Sequence, residues 1–386
     1  MQITIYSPDR HFVYDGSTLE KEGLGGGVTA RIRMGAALAA RNHVVSNICN
    51  CPRRIKFEGV EYIPLDEASR IDGDVLVMNS SGDAFDLSPL QKLELNAKVR
   101  VVLASGDAIP KGTAELEPAA LLVCSNFIRT RLQRFPFVKR DRILVANCGV
   151  NRWNYPGLFG RGRDTRRLIY SSHPSKGLDP SLKLLRILRQ HDPRFSLACY
   201  GGNGLWGEPD EPPAPEDGFS YSRPIRQRAL AAEYQRSGFL LQLQTREEPF
   251  GITVVEAMAA GCIVLASSVG AFPETIRHGE NGFLFEGKPG DPATVSNAAE
   301  LILRLSRDRD LMRRVRKRAM ATPFTWLTMA EVWEAYFQWL LDPVRVAAVE
   351  APWSRCLECG EVTWIFADGY HCKECGYFSR TARPAS

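Results

Sequence analysis

One stretch of the sequence, residues 238–266, most constrains how the chain folds. Two apolar runs in it, 238–243 and 262–266, are typical of buried strands. Between them, Gly251 marks a turn, and the apolar residues that follow recur at helical spacing until Gly261. A strand, a loop, a helix and a second strand in this order predict one unit of a parallel sheet with helices packed against it.

Two carboxylates stand at the end of this sheet unit where ligands are expected. Glu248 lies in the loop after the first strand, and Glu256 lies about two turns into the predicted helix. The first amides of that helix, around Phe250, Gly251 and Ile252, have no partners within the helix and favour a phosphate group. A carboxylate beside them needs hydroxyl donors, which a sugar or a ribose diol supplies. A pair of glutamates on a solvated helix face is the simpler reading of the two residues alone.

The same stretch resembles the E-x7-E signature of retaining glycosyltransferases of the GT-B fold, of the family 4 type that is also called group 1. The matching motifs are Glu248-Pro-Phe-Gly251, Glu256-Ala-Met-Ala-x-Gly261, Gly270, Pro273-Glu274 and Asn281-Gly282. The resemblance is specific in the second half of the chain and loose in the first. It implies an α/β protein of two Rossmann-like domains that face a cleft between them.

The resemblance covers residues 1 to about 341 and, with the C-terminal cysteines, predicts the layout of the chain. We expect an N-terminal Rossmann-like domain on the acceptor side (1–151), a linker (152–164), a C-terminal Rossmann-like domain that binds the nucleotide-sugar (165–324), a helix that crosses back to the first domain (325–342), a second linker (343–355) and a zinc-ribbon module (356–380).

Length, charge and cysteine content limit the class of protein. A chain of 386 residues suits two domains and a small appendage. The net charge of +5 permits an anionic substrate or membrane surface without requiring nucleic acid. The N-terminus is typical of a strand and not of a signal peptide, and no apolar run reaches the ~18 residues of a membrane span. Six of the ten cysteines are scattered singly, as reduced thiols are, so we expect a cytoplasmic protein.

A glycine-rich turn, Gly25-Gly26-Gly27, follows an irregular polar segment and precedes a helix predicted from about Val28 to Arg41. Glycines let backbone amides approach an anion or a sugar closely, although three glycines also suit a simple turn. The turn resembles the Gly-Gly loop of the family, which implies that Gly26 and Gly27 contact the donor.

The loop after the apolar strand Val99–Ala104 reads Ser105-Gly106-Asp107. The family often carries His-Asp near this point, beside the reacting sugar. Here Gly106 stands where the histidine is expected. The resemblance makes Asp107 a candidate catalytic residue, and a role in turning the loop fits it equally well.

Lys176 follows an apolar strand at Leu168–Ser172 and precedes Gly177-Leu178. A cation at this point fits a contact with a diphosphate, whose charge grows as the leaving group departs. Family members place a lysine or arginine here, so the resemblance implies that Lys176 binds and stabilises the donor diphosphate. They commonly carry a second arginine several positions earlier, where this chain has Ser171.

The resemblance implies transfer of a glycosyl group from a nucleotide-sugar to an acceptor hydroxyl, with retention at the anomeric carbon. In this scheme Glu248 holds hydroxyls of the donor sugar, Glu256 accepts hydrogen bonds from the ribose, and no catalytic metal is needed. The acceptor is expected to be a glycan, a glycolipid or a small molecule of glycoconjugate biosynthesis. The absent histidine and arginine leave a second reading open, an inactive scaffold that binds a nucleotide-sugar.

Four cysteines near the C-terminus have the spacing of a metal site. They form two C-x-x-C pairs about a dozen residues apart, at Cys356, Cys359, Cys372 and Cys375. The segment is too short to bury a core, so we expect a structural zinc ion to supply its folding energy. A rubredoxin-like iron site shares the ligand set, and two disulfides are the remaining alternative. The module is expected to bind a protein partner, to mediate self-association or to act as a structural staple.

Clusters of basic residues permit two further partners. Residues 129–142 carry several arginines, which fit a solvated helix face or peripheral binding to the anionic inner face of the membrane. The zinc module also has Arg355, Lys373 and Arg380, which keeps a nucleic-acid-associated protein open as an alternative. No dense array of basic and aromatic residues supports that alternative.

Overall fold

The computed structural model describes residues 1–81, 85–135, 142–151, 154–155, 162–342, 353–355, 362–366, 369–371 and 378–379. Its strands are β1 (Gln2–Tyr6), β2 (Val44–Cys49), β3 (Ile55–Phe57), β4 (Val60–Pro64), β5 (Arg70–Met78), β6 (Glu94–Ala104), β7 (Ala120–Val123), β8 (Ile143–Val145), β9 (Asp164–Tyr170), β10 (Ser196–Tyr200), β11 (Phe219–Ser222), β12 (Ser237–Gln242), β13 (Ile263–Ser267), β14 (Phe283–Phe285), β15 (Trp353–Arg355), β16 (Val362–Phe366), β17 (Gly369–His371) and β18 (Phe378–Ser379). Its α-helices are α1 (Gly26–Ala40), α2 (Asn126–Leu132), α3 (Leu178–His191), α4 (Gln227–Arg236), α5 (Ile252–Ala259), α6 (Phe272–Thr275), α7 (Pro292–Arg307), α8 (Arg309–Met320) and α9 (Trp326–Leu341).

The chain forms two compact units, and it passes between them more than once. The first unit contains Met1–Gly16, Ala30–Gly149 and Thr325–Ser386. The second contains Ser17–Thr29 and Val150–Phe324. The segment Ser17–Thr29 therefore groups with a sheet whose strands begin more than a hundred residues later in the sequence.

The first unit is built on a sheet of eight strands in the order β3-β4-β2-β1-β5-β6-β7-β8. All neighbours run parallel except β3 and β4, which pair antiparallel at one edge. Helix α9 belongs to this unit: Arg41 Nη1 lies 2.9 Å from Glu331 Oε1, and the Tyr336 hydroxyl donates to the Val145 carbonyl oxygen. These contacts attach the last helix to the first sheet.

The second unit is a six-stranded parallel sheet in the order β11-β10-β9-β12-β13-β14. Successive side chains of its strands enter different cores, as the period of two in a strand requires. Leu168 and Tyr170 pack with α3, α7 and α8, whereas Ile169, between them, packs with α4 and α5. Because both faces are covered, the strands are continuous apolar runs, which is why they were predictable from the sequence.

A third, small sheet of four antiparallel strands, β15-β16-β17-β18, lies at the C-terminal end of the chain. The cysteines of the predicted zinc site, at 356, 359, 372 and 375, lie outside the described residues. Among the helices in the described part of the chain, none is both long and apolar enough to cross a bilayer.

Candidate functional site

The second sheet has a switch point between β9 and β12, where the order of its strands reverses direction. In open parallel sheets of this type, ligands bind in the crevice beyond the carboxyl ends of the two strands at this point. Lys176 follows β9, and Glu248 follows β12. Lys176 and Glu248, two predicted site residues, are 72 positions apart in the sequence and lie side by side at this crevice.

The Lys176 ammonium and the Glu248 carboxylate form an ion pair across this point, with Nζ 2.8 Å from Oε2. Both side chains are largely buried, with 20% and 15% of their surface exposed. The amide nitrogen of Gln244 lies 3.5 Å from the same carboxylate oxygen. Glu248 is therefore held between a cation and an amide donor at the mouth of the crevice.

The loop that carries Lys176 is held close to β12 by a glycine. Gly177 has a left-handed backbone with φ of +106°, and a side chain there would collide with the carbonyl group of Leu243. Glycine permits both the conformation and the approach. The Tyr170 hydroxyl donates to the carbonyl oxygen of His173 at 2.6 Å, which fixes the beginning of the same loop.

Helix α5 starts immediately after Gly251, so the amides of its first residues have no acceptor within the helix. Phe250 is buried, and its ring meets that of Phe324 edge to face at 5.4 Å. The Ala271 amide donates to the Glu248 carbonyl oxygen at 2.8 Å. The loop between the two glutamates is thus fixed by core packing on one side and by a backbone hydrogen bond on the other.

Glu256 is the fifth residue of α5, little more than one turn from its start, and not about two turns as the sequence predicted. The helix begins directly after Gly251, as the sequence predicted, so the prediction overestimated only the number of turns before Glu256. Glu256 is only 5% exposed, and its Oε1 accepts a hydrogen bond from Gln227 Nε2 at 2.6 Å. Nothing in the sequence predicted Gln227 as this partner, because Gln227 is the first residue of α4 and lies 29 positions from Glu256 in the chain.

The glycine turn, Gly25-Gly26-Gly27, is part of the second unit. Gly25 packs so closely on the carbonyl oxygen of Leu205 that any side chain would clash with it. Gly26 lies beside the first residue of α5: a β-carbon on it would be 3.6 Å from Ile252 Cδ1. Gly26 and Gly27 form the first turn of α1. The predicted donor contacts from the glycine turn and from α5 are therefore neighbours.

Asp107 is placed differently from the other candidates. It is an exposed loop residue of the first unit, whereas Lys176, Glu248 and Glu256 belong to the second. Its backbone carbonyl oxygen accepts a hydrogen bond from Arg134 Nη2 at 3.2 Å.

A stack of side chains that the sequence analysis did not anticipate lies next to Lys176. The rings of His173 and Trp206 are parallel, with centroids 3.6 Å apart, and the Arg246 guanidinium lies 4.7 Å from the centre of the Trp206 ring. His173 Nδ1 lies 2.8 Å from Ser175 Oγ and accepts from the Ser175 amide, so Nε2 carries the proton toward Glu208. Three different loops supply these residues, so no local pattern marked them.

In the first unit the corresponding switch point, between β1 and β5, is filled by a buried polar network. Asp9 pairs with Arg31 Nη1 at 3.1 Å and also accepts hydrogen bonds from Ser7, Ser80 and Ser81. Burial alone would raise the pKa of the Asp9 carboxyl, but the Arg31 charge and these donors outweigh it, so the pKa lies below its usual value. The network ties the ends of both strands to α1.

In the part of the chain that the structure describes, no group of three or more histidine, cysteine or acidic side chains is arranged to hold a metal ion.

Residues 168–322 match the model of the family described as glycosyl transferases group 1. This segment covers the second sheet, the crevice and both motif glutamates. In a curated relative, D-inositol 3-phosphate glycosyltransferase of Streptomyces scabiei (strain 87.22), 35% of 177 aligned residues are identical, over 40% of this chain and 39% of that protein. The chain spans half or less of the length of the curated relatives that it matches.

Two solved structures resemble the chain over most of its length. Sucrose-phosphate synthase (tll1590) from Thermosynechococcus elongatus superposes with a TM-score of 0.62 at 19% identity, over 89% of this chain and all of that one. HepE (Alr3699) of Anabaena, solved in complex with UDP and glucose, gives a TM-score of 0.59 at 14% identity, over 88% of this chain and all of that one. These similarities confirm an α/β fold of GT-B type with two mainly parallel sheets.

Proposed function

We propose that the protein is a retaining glycosyltransferase of the family 4 type, which moves a sugar from a nucleotide-sugar to an acceptor hydroxyl. The observation that carries the proposal is the ion pair of Lys176 and Glu248 at the switch point of the second sheet, with Glu256 on the helix that follows Glu248. The family match over residues 168–322 and the GT-B fold support it.

Each residue of the crevice has a role that its geometry permits. Lys176 neutralises negative charge on the diphosphate as the bond to the sugar breaks, an electrostatic effect that is strongest where the cation is already in place. Glu248 accepts hydrogen bonds from hydroxyls of the donor sugar. The amides of Phe250, Gly251 and Ile252 at the start of α5 face the phosphates, as helix N-termini do.

Glu256 accepts hydrogen bonds from the ribose diol of the nucleotide. Gln227 holds one of its oxygens, so the carboxylate is oriented before the donor arrives. Gly26, which lies beside Ile252, and Gly27 add backbone amides from the glycine turn. Asp107 is the proposed acidic residue of the first unit, on the acceptor side.

The identity of the donor is the first question for experiment. UDP-sugars are the first donors to test, because HepE of Anabaena was solved with UDP and glucose. The acceptor belongs to the chemistry of polysaccharides, glycolipids or other glycoconjugates, in keeping with the named relative, which is a glycosyltransferase. A peripheral position on the inner face of the membrane and a structural zinc ion held by the four C-terminal cysteines complete the proposal.

A thermal-shift screen against UDP-, GDP-, ADP- and TDP-sugars tests the donor site. A ligand at about 100 times its dissociation constant stabilises the fold by roughly 2.7 kcal/mol. We expect one nucleotide class to raise the melting temperature of the wild type and not of Glu256→Gln. The matched control is Glu300→Gln, an exposed residue on α7, which should respond as the wild type does. No shift with any nucleotide-sugar would contradict the proposed function.

A second candidate is an inactive scaffold that binds the nucleotide-sugar without transferring it. Gly106 and Ser171, which stand where family members carry a histidine and an arginine, favour this alternative. Release of free nucleotide in the presence of a mixture of acceptors distinguishes the two. Donor binding with no release above the level of Lys176→Ala would support the scaffold.

A further inference from the structure

We propose that Arg246 is a second cationic contact to the donor diphosphate, held in place by Trp206 and Gln244. The inference rests on the proposed function and extends it to a residue outside the E-x7-E motif. It explains how this crevice binds a doubly charged group although Ser171 occupies the position of the second family arginine.

The Arg246 guanidinium is available for a ligand. The side chain is exposed, and in the described part of the chain no carboxylate lies within ion-pair distance of it. The nearest motif carboxylate, Glu248, is paired with Lys176 instead. The guanidinium lies over the Trp206 ring, 4.7 Å from its centre, which favours the cation while leaving its edge donors free.

The backbone at Arg246 is fixed from inside the protein. Gln244 is 1% exposed, and its Nε2 donates to the Arg246 carbonyl oxygen at 2.7 Å. The Gln244 amide donates to Ser267 Oγ at 3.0 Å, which attaches the loop to the end of β13. Gln244 Oε1 is buried and has no hydrogen-bond partner among the described residues. Because buried polar atoms nearly always have a partner, this atom calls for an explanation.

The Trp206 stack places Arg246 on the same crevice as Lys176. Trp206 stacks on His173, and His173 contacts Ser175, the residue before Lys176. Burial lowers the pKa of His173, and the charges of Lys176 and Arg246 act in the same direction. Lys176 follows β9 and Arg246 follows β12, the two strands at the switch point.

A diphosphate suits this pair of cations better than a single lysine does. A lysine acts as a point charge, whereas a guanidinium offers two parallel donors to the oxygens of one phosphate. With Lys176 already paired to Glu248, part of its charge is compensated before a ligand arrives. Arg246 supplies the additional charge from the other side of the crevice.

Titration calorimetry with UDP and GDP, with the matching nucleosides and with inorganic pyrophosphate tests the proposal. For Arg246→Met we expect the dissociation constants of the nucleoside diphosphate and of pyrophosphate to rise ten- to one-hundredfold, the range for a hydrogen bond to a charged group. Nucleoside binding should stay unchanged. Arg246→Lys should recover part of the loss. Arg236→Met, which removes an exposed arginine of α4, should behave as the wild type.

Trp206→Leu and the double variant test whether the stack positions Arg246. We expect Trp206→Leu to weaken nucleoside diphosphate binding in the wild-type background and to have little further effect in Arg246→Met, because the two residues act together. Equal losses in both backgrounds would overturn the role of Trp206.

Two results separate failure of this inference from failure of the proposed function. If the wild type binds a nucleoside diphosphate and Arg246→Met binds it equally well at an unchanged melting temperature, the Arg246 contact is wrong and the proposed function stands. If the wild type binds none of the nucleotides, both proposals are overturned.

Discussion

At the scale of single residues, the ion pair between Lys176 and Glu248 makes each of the two charges depend on the other. Two charges that are mostly withdrawn from water stabilise each other only while both remain. Loss of either partner leaves the other uncompensated at the mouth of the crevice. A change at one residue therefore alters the state of the other, and the two should be studied together.

We predict that Lys176→Ala lowers kcat by about 10²- to 10³-fold, with a smaller change in KM, because the cation acts mainly on charge that develops as the leaving group departs. Steady-state kinetics with the donor identified by thermal shift measures this. Lys183→Ala, an exposed lysine of α3 paired with Asp179, is the matched control and should keep wild-type turnover. Unchanged turnover in Lys176→Ala would remove the residue from the mechanism.

The pKa of His173 predicts a dependence of stability on pH. Burial lowers this pKa below its usual value, Glu208 opposes the shift, and Lys176 and Arg246 add to it. The imidazole is therefore harder to protonate in the folded than in the unfolded protein. Its contribution to stability is complete above about pH 6.5, and it is lost as the pH falls from there through the lower folded-state pKa.

Urea unfolding of the wild type and of His173→Gln at about pH 8 and about pH 5 measures this contribution. We expect the free energy of unfolding to fall more steeply toward acid pH in the wild type than in the variant, whose amide can still accept from the Ser175 amide. Parallel curves for the two proteins would show that His173 has the same pKa in both states.

The motif residues were predictable from the sequence, and their partners were not. Glu248 and Glu256 lie in one continuous run whose spacing is informative by itself. Gln227 and Trp206 contact the site only because the parallel sheet brings separate loops to the same edge. Trp206 lies in an acidic, proline-rich loop for which the sequence suggested no role. Local sequence motifs do not predict contacts that depend on the order of strands in a sheet.

At the scale of elements, the Asp9–Arg31 network connects two strands of the first unit to a helix. It joins the ends of β1 and β5 to α1 through side chains that are almost wholly buried, 4% and 1% exposed in the ion pair. Arg31 Nη1 donates to Asp9, Asn79 and Ser81, whereas Nε and Nη2 of Arg31 have no hydrogen-bond partner among the described residues.

We predict that Arg31→Met destabilises the protein by about 3–5 kcal/mol, because it leaves the Asp9 carboxylate buried without its cation. Urea unfolding at neutral pH measures the change. The control is Arg10→Ala, which removes an ion pair with Asp66 whose side chains are 60% and 81% exposed. An exposed pair of this kind contributes at most about 1 kcal/mol. If Arg31→Met lowered the free energy of unfolding as little as Arg10→Ala does, the network would not connect these elements structurally.

The central strands β9, β12 and β13 of the second unit were predicted to within a few residues, because their apolar runs are buried on both faces, whereas the edge strands β11 and β14 were not predicted. Strand β12 was predicted at 238–243 and is observed at Ser237–Gln242. The first unit was harder, because β3 and β4 are short, partly exposed and antiparallel, and neither was predicted. Helix α5 begins directly after Gly251 as predicted, and only the distance from its start to Glu256 was overestimated.

At the scale of the whole molecule, we propose that a zinc ion holds the C-terminal end of the chain together. We predict one zinc ion per chain by elemental analysis of the purified protein, and loss of that ion in Cys372→Ser, because four thiolates complete a tetrahedral structural site. Cys148→Ser, which changes a cysteine outside the C-x-x-C pairs, should keep the metal. Iron in place of zinc would indicate a rubredoxin-like site, and a metal-free protein with no free thiols at these positions would indicate disulfides.

The passage of the chain between the two units has a consequence for synthesis on the ribosome. The boundaries at Gly16/Ser17, Thr29/Ala30, Gly149/Val150 and Phe324/Thr325 mean that neither unit is a single continuous segment. The first unit receives α9 only after the whole second unit has been translated. At about 5–20 residues per second, the interval between Gly149 and Thr325 is on the order of ten to thirty seconds. Throughout that interval the nascent first sheet lacks the helix that covers it, and holding factors have time to bind there.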